Sequence, residues 1–310
     1  MTAPEVRPLV SVAIPTRGRA VWCEEAVRSV LAQTGVSLEV VVALDGEDRE
    51  TRTRIEAIAD PRVRVVAQAA SGRSAARNLA WRSARGSRVA FLDDDDALSE
   101  GSLEARMNAL DAHPGAVLSH GRAVAMDADG HPLRASGHYS RAAREYDAVV
   151  SQSKGRSLLP STVLVERAAL ERAGGFPEDM PTGEDWLLFL RLSTFGTFVS
   201  VETPVVLYRK HAGQVRWDPA QQEAALPTLL TRWFDDPATP PRAREFRARL
   251  EARLLAYIAR NYRRLGKIAD ADRCLRAAVS KDRRLLLHPR RLRNWLGAVL
   301  LRARKRERPI

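Results

Sequence analysis

The first two thirds of this chain predict an α/β fold with a mostly parallel central sheet flanked by helices, and the last third predicts an α-helical appendage. Three observations carry that expectation. Short valine-rich runs alternate with helical patterns from the N-terminus, polar residues follow the ends of three of those runs, and after Asp218 the pattern becomes wholly helical. The 310 residues, 45% hydrophobic and 28% charged, suffice for a sizeable buried core.

The expected strands are Leu9 to Ile14, Leu38 to Leu44, Val63 to Ala67 and Arg88 to Leu92, whose unbroken apolar character suits strands buried on both faces. Between them lie helical patterns at Ala20 to Ala32, with Val21, Ala26, Val27, Val30 and Leu31 on one face, and at Arg73 to Ala84. In such a sheet a ligand binds outside the carboxyl ends of the strands, at a switch in strand order. Pro15-Thr16-Arg17, Asp45-Gly46 and Asp93 to Asp96 all fall at those ends. Further on, Asp127-Ala128-Asp129-Gly130 reads as a turn, Gly137 to Gly155 as a polar loop and Ser161 to Val165 as a strand followed by a short helix. A helix from Glu184 and a strand at Pro204 to Arg209 complete the expected first domain, residues 1 to 218.

Residues 219 to 310 form the second expected region. Pro237-Ala238-Thr239-Pro240-Pro241 reads as a linker, and Ala256 to Ser280 has the spacing of one tetratricopeptide-like helical hairpin. The net charge of +12 is concentrated here: Arg242 to Ile310 carries 22 Lys/Arg against 6 Asp/Glu, a net of +16, and the remaining 28 minus 32 gives −4 for residues 1 to 241. A solvated face is the plain reading of those cations. Trp295-Leu296-Gly297-Ala298-Val299-Leu300-Leu301 followed by Arg302-Ala303-Arg304-Lys305-Arg306 also makes an amphipathic cationic end suited to an anionic membrane surface, and homodimer contacts are a further use. Nucleic acid is not the expected partner, since zinc-ligand spacing, an aromatic platform and a known reader pattern are all missing from the sequence. Without a signal-peptide pattern or an apolar run of roughly 18 residues, the expected location is cytoplasmic, with peripheral contact at the inner face of the membrane. Cys23 and Cys274, the two cysteines, have no metal-ligand spacing and suit a reducing compartment.

Four consecutive aspartates, Asp93 to Asp96, directly after an apolar strand demand a physical reason. At roughly 4 Å and an effective dielectric of about 20, two like charges repel by about 4 kcal/mol, so the run needs counter-charge or open water. Oxygen-only ligands suit a hard divalent cation, Mg²⁺ or Mn²⁺, that takes its remaining ligands from water and substrate phosphates. A calcium EF-hand does not fit, because Ala97 and Leu98 stand where a ligand and the turn glycine are needed. The competing reading is an acidic turn before a helix starting near Leu98, capped by Asp96 or Ser99.

The segments VSVAIPTRGRA, LEVVVALDGED, SGRSAARNLAWRSARGSRVAFLDDDD and GGFPEDMPTGEDWLLFLRL, followed by VVLYRKH, resemble the family 2 glycosyltransferases of the GT-A fold over about residues 9 to 212. That resemblance implies an inverting, metal-dependent transfer from a nucleoside diphosphate sugar, with uridine the expected base, to a hydroxyl acceptor in cell-surface glycan, glycolipid or secondary-metabolite synthesis. It implies that Asp45 accepts a hydrogen bond from the base, that Pro15, Thr16 and Arg17 line the base pocket, and that Arg77 lies near base and diphosphate. A helix-surface position is the alternative for Arg77. Asp93 and Asp95 match the DXD motif, with Asp95 on the Mn²⁺ or Mg²⁺ and Asp94 or Asp93 toward the ribose or a metal-bound water. His211 matches a histidine that some relatives place near the metal, a plain surface histidine being the alternative.

Asp185 matches the catalytic base of that family, and Thr182-Gly183-Glu184-Asp185 is also close to a capping box, with a helix N-terminus that would favour the carboxylate. Two positions depart from the family pattern: Arg17 replaces a frequent aromatic residue, and Leu44 the first aspartate of the usual Asp-Asp-Gly. Gln214-Val215-Arg216-Trp217 resembles the Q-x-x-R-W signature of processive synthases but is one residue short, so non-processive transfer is expected. From another class, a binding protein of the same fold without turnover, tethered through its basic helices to membrane or nucleic acid, is the alternative function.

Overall fold

The computed structural model of the protein describes residues 10–138, 158–214 and 218–287. Two compact units divide the chain, Met1–Ser151 with Gly155–Gln214, and Gln152–Lys154 with Val215–Ile310.

In the first unit β1 (Val10–Thr16), α1 (Ala20–Leu31), β2 (Leu38–Asp45), α2 (Arg49–Glu56), β3 (Val63–Gln68), α3 (Arg73–Ser83) and β4 (Arg88–Phe91) follow in alternation. β1 and β2 are buried along their whole length, as their unbroken apolar runs require. β1 pairs in parallel with β2 on one side, Ala13 opposite Val41, and with β4 on the other, Ala13 opposite Phe91. β3 continues the parallel set beside β2. The chain thus builds outward from β1 to β3 and then returns to lay β4 on the far side of β1, and that reversal opens a crevice beyond the carboxyl ends of β1 and β4.

The unit continues with β5 (Ala97–Leu98), α4 (Ser102–Asp111), β6 (Ala116–Met126), β7 (Pro132–His138), β8 (Val163–Glu166), α5 (Arg167–Ala173), α6 (Glu184–Leu192) and β9 (Thr197–Arg209). The sheet order is β3-β2-β1-β4-β8-β6-β9-β5, with β7 on β6. β8 runs antiparallel to both β4 and β6, β9 runs parallel to β6, and β5 runs antiparallel to β9. Valine side chains of β1 and β2 pack with Ala26, Val27 and Val30 of α1, Leu103 of α4, and Val205 and Val206 of β9 in one core.

Several local expectations are corrected. Val21 is 50% exposed, and the buried face of α1 is instead Ala20, Cys23, Ala26, Val27 and Val30. α2 was not expected from the sequence: it buries only Thr51 and Ile55, and its N-cap is Asp48, whose side chain accepts from Thr51 N at 3.0 Å and Thr51 Oγ1 at 2.6 Å. No helix begins near Leu98: Ala97 and Leu98 pair with Leu207 and Val206, and α4 starts after Gly101, so neither Asp96 nor Ser99 is its cap. The last strand starts at Thr197 rather than Pro204, with Pro204 at an irregularity of the ladder where a missing N–H is tolerated.

In the second unit the described helices are α7 (Pro219–Phe234), α8 (Pro241–Arg244), α9 (Arg247–Arg264) and α10 (Ile268–Lys281). The proline-rich segment before α8 is an ordered turn in which the Thr239 hydroxyl donates to the Trp233 carbonyl at 2.5 Å. α9 and α10 form the expected helical hairpin about Gly266, and α7 joins it through Asn261 Nδ2 donating to Gln222 Oε1 at 3.1 Å. Both cysteines are free and buried. No described helix is long and apolar enough to cross a membrane. The polar loop after His138, the residues 215 to 217 of the Q-x-x-R-W-like stretch and the Trp295 to Arg306 segment lie outside the described residues.

Candidate active site

The crevice is walled by the loops after β1, β2 and β4, the N-terminus of α6 and the end of β9. Asp93 to Asp96 leave β4 in a tight turn, Asp96 N donating to Asp93 O at 3.0 Å. Ser161 fixes both ends of this turn: its hydroxyl receives Asp93 N at 3.1 Å and donates to Asp96 Oδ2 at 2.8 Å. Arg106 of α4, fully buried, holds the start of β8 just beyond Ser161 by donating to Val163 O at 2.9 Å. Burial pushes that guanidinium down to about 9.

The counter-charge that the aspartate run demanded is built into the chain. Arg77 Nη2 lies 2.5 Å from Asp93 Oδ1, Arg19 Nη1 lies 2.7 Å from Asp94 Oδ1 and 3.1 Å from Asp95 Oδ2, and His211 Nε2 lies 2.9 Å from Asp95 Oδ2. Arg209 donates Nε to Asp95 O at 2.9 Å and its backbone N to Asp96 Oδ1 at 3.1 Å. The four carboxyls consequently differ. Burial would raise Asp93, but Arg77 and Arg73 outweigh it and hold the group below the usual range. Asp94 is pushed up to about 6 because burial exceeds the attraction of Arg19. Asp96 lies well above the ordinary value through burial and the charges of Asp93 and Asp95.

Carboxylate oxygens of Asp93, Asp95 and Asp96 lie within 4.8 Å of one another, a hard all-oxygen donor set that fits Mg²⁺ or Mn²⁺. The expected triad was Asp93, Asp95 and His211. The structure adds Asp96 to the cluster and sets His211 against Asp95, with its ring 4.5 Å from that of Trp22. Asp96, expected at most to start a helix, is instead 1% exposed inside the site.

Pro15 and Thr16 end β1 as buried residues, whereas the Arg17 side chain is 70% exposed with Nη1 3.9 Å from Asp45 Oδ2. Asp45, at the end of β2, is occupied by the loop before α3: it accepts from Ser71 N at 2.7 Å, Gly72 N at 3.0 Å and Gln68 Nε2 at 3.3 Å. This aspartate therefore ties the end of β2 to the loop that opens α3.

Arg77 is 2% exposed, which removes the helix-surface reading. Its guanidinium lies over the Phe176 ring at 5.2 Å and reaches Glu184 Oε1 at 3.5 Å, while Arg73, one helical turn earlier, reaches the same oxygen at 2.6 Å. Glu184 and Asp185 open α6. The N-cap is Gly183, in a left-handed conformation at φ 82°, and it provides no side-chain cap, so the capping-box reading of Thr182 to Asp185 is corrected. Asp185 is 2% exposed and accepts from Trp186 N at 2.8 Å. Burial first, and the Glu184 charge second, push its carboxyl up to about 7, against the pull of Arg73, Arg77 and the Trp186 amide. The helix N-terminus thus does not hold it at an ordinary carboxylate value. Sequence reasoning missed Arg19, Arg73, Ser161 and Arg209. Arg73 had a signal in its one-turn spacing from Arg77, whereas the partners of Ser161 and Arg209 lie 65 or more residues away.

A crevice at the switch point of parallel strands, lined by clustered carboxylates and by a buried, raised carboxyl, marks an α/β protein that takes its ligand there. Residues 11–173 match the profile described as Glycosyl transferase family 2, and the chain belongs to that family. Over 111 residues, 34% of the chain, it is 36% identical to the uncharacterized glycosyltransferase EpsJ of Bacillus subtilis (strain 168). Over 106 residues, 34% of the chain and 30% of the relative, it is 37% identical to the succinoglycan biosynthesis protein ExoO of Rhizobium meliloti (strain 1021). The matched segments span 32% or less of the first curated relatives' own length. Among solved structures, S. aureus TarS 1-349 in complex with UDP-GlcNAc superposes with a TM-score of 0.63 at 17% identity, covering 88% of this chain and 81% of that one. The mannosyltransferase PcManGT from Pyrobaculum calidifontis, in complex with GDP-Man and Mn²⁺, gives 0.56 at 21% identity, covering 97% and 86%. These likenesses show the fold, which is GT-A.

Proposed function

We propose that this chain transfers a sugar from a nucleoside diphosphate sugar to a hydroxyl acceptor, with inversion at the anomeric carbon and with Mn²⁺ or Mg²⁺ as cofactor. The observation that carries the reading is the convergence in one crevice of the Asp93, Asp95 and Asp96 oxygens with the buried Asp185 carboxyl, whose pKa is raised to about 7. A base acting near neutral pH needs such a value, because it must be ionised to accept a proton and basic enough to hold it.

Asp185 takes the acceptor hydroxyl proton while the acceptor oxygen forms its bond to the anomeric carbon. On the opposite face the bond to the diphosphate oxygen breaks, and the nucleoside diphosphate leaves with that electron pair. Asp93 and Asp95 are the residues that would hold the cation, with His211 and Asp96 beside them, and a bound cation would supply Lewis-acid neutralisation of charge on the diphosphate. Arg73 has a side chain 41% exposed and adds a guanidinium able to pair with phosphate oxygens. Asp45, Pro15, Thr16 and Arg17 form the wall assigned to the base, and Asp94, beside Arg19, is the residue assigned to the ribose.

A UDP-sugar is the first donor to test, and a GDP-sugar the second. The test is a panel of nucleoside diphosphate sugars with an untargeted acceptor mixture, read by mass spectrometry with and without Mn²⁺. Metal-dependent donor consumption supports the reading. A chain that binds no nucleoside diphosphate under any of these conditions refutes it.

The second unit supports a further contact. At the α9–α10 turn Arg263, Arg264, Leu265, Gly266 and Lys267 are all exposed, Leu265 by 56%. Cations around a protruding apolar side chain suit an anionic membrane surface. Flotation with anionic vesicles at low salt is expected to carry the full chain, and truncation at Pro240 to abolish it.

A further inference from the structure

The pair Arg73 and Arg77 converges on a single oxygen, Glu184 Oε1, at 2.6 and 3.5 Å, while the second carboxylate oxygen of Glu184 is buried without a hydrogen-bond partner among the described residues. Glu184 is 2% exposed and immediately precedes Asp185. Arg77 in turn reaches Asp93 through its other terminal nitrogen at 2.5 Å. A continuous path of contacts therefore runs from the acidic turn after β4, through Arg77, to the residue next to the proposed base.

We propose that Glu184 is a positioning residue: it anchors Arg73 and Arg77 beside the reacting end of the crevice and sets the field in which Asp185 accepts its proton. The inference rests on Asp185 being the base. The geometry supports it because a helix residue with one oxygen shared by two guanidiniums and the other unpaired is a poor structural plug. The charged groups that act most strongly on Asp185 are Glu184 from its own helix and Arg73 and Arg77 from α3, and each can be removed singly.

The directions are opposite and therefore testable. Glu184→Gln removes a like charge next to Asp185 and leaves two guanidiniums without their shared anion, and both changes favour the ionised base. Arg73→Gln removes a cation and disfavours it. The experiment is the pH profile of kcat at saturating donor, which reports the base in the loaded enzyme. The acid limb is expected to move down by about one pH unit in Glu184→Gln and up by a similar amount in Arg73→Gln.

A purely structural Glu184 would lower kcat at every pH and leave the limb in place, and that result overturns the inference. Arg73→Gln alters a partly exposed side chain, so it keeps the test open if Glu184→Gln does not fold; an unmoved limb there is equally adverse. Asp185→Asn separates the two claims. Full activity in Asp185→Asn removes the base itself, whereas its inactivity together with an unmoved limb in the other variants removes only the role of Glu184.

Discussion

At the scale of single residues, the site is a set of carboxyls tuned apart by what surrounds each one. Asp185 is raised to about 7 by burial and by Glu184. Its sign is that of a group whose folded pKa exceeds the unfolded one: the native state holds the proton longer, so its contribution to stability is present at acid pH and is lost as pH rises from about 4 to about 7. Each pH unit of that interval is worth about 1.4 kcal/mol. Asp185→Asn is therefore expected to abolish transfer while donor binding persists. It should also raise stability by up to about 4 kcal/mol at pH 8, with the gain vanishing near pH 4, as read by urea denaturation at both values. Arg77 is the converse: Arg77→Ala would leave Asp93 and Glu184 short of a cation and should cost about 3 kcal/mol, seen as a lower thermal midpoint. The aspartate run was legible in the sequence because it is local, and Asp185 only through its resemblance to the family pattern. Arg19, Arg209 and Ser161 were not, since their significance comes from partners brought to them by the fold.

The elements deliver these residues through a few turns that admit no ordinary side chain. Gly183 caps α6 at φ 82°, which aims Glu184 and Asp185 into the crevice. Gly175, at φ 75°, lies where an added Cβ would sit 2.6 Å from Asn78 Oδ1 and 2.9 Å from Trp81 Nε1. Asn78 is fully used there: its amide nitrogen donates to Phe176 O and Glu178 Oε1 at 2.7 Å each, and its oxygen accepts from Phe176 N and Trp81 Nε1 at 2.9 Å each. Gly175→Ala combines strain with a clash, so a loss of about 2 kcal/mol or more is expected, together with reduced transfer, because Phe176 also backs Arg77. Circular dichroism melting alongside the transfer assay would show both. The strands β1 to β4 were readable from sequence to within two residues because their apolar runs are unbroken, but only β1 and β2 are buried along their whole length; β3, at the edge of the sheet, is half-buried, against expectation. α2 escaped notice because it buries two residues, and β5 because a two-residue strand has no period to read.

For the whole molecule, the opposed charges of the crevice predict a linked response to ligands. Mn²⁺ together with a nucleoside diphosphate near 100 times its Kd should stabilise the chain by about 2.7 kcal/mol, and neither alone should match it. A midpoint in differential scanning fluorimetry that ignores the combination would contradict a shared metal and diphosphate site. The sequence by itself determined the α/β class, the four parallel strands and the acidic run at the carboxyl end of the last of them. These are local or periodic signals, fixed by which residues must be buried. The tertiary structure alone decided which cations answer which carboxylates, that Asp96 belongs inside the site, and that Glu184 joins Arg73 and Arg77. Those pairings span up to more than a hundred residues, and electrostatic energy depends on distance in space, which no spacing along the chain encodes.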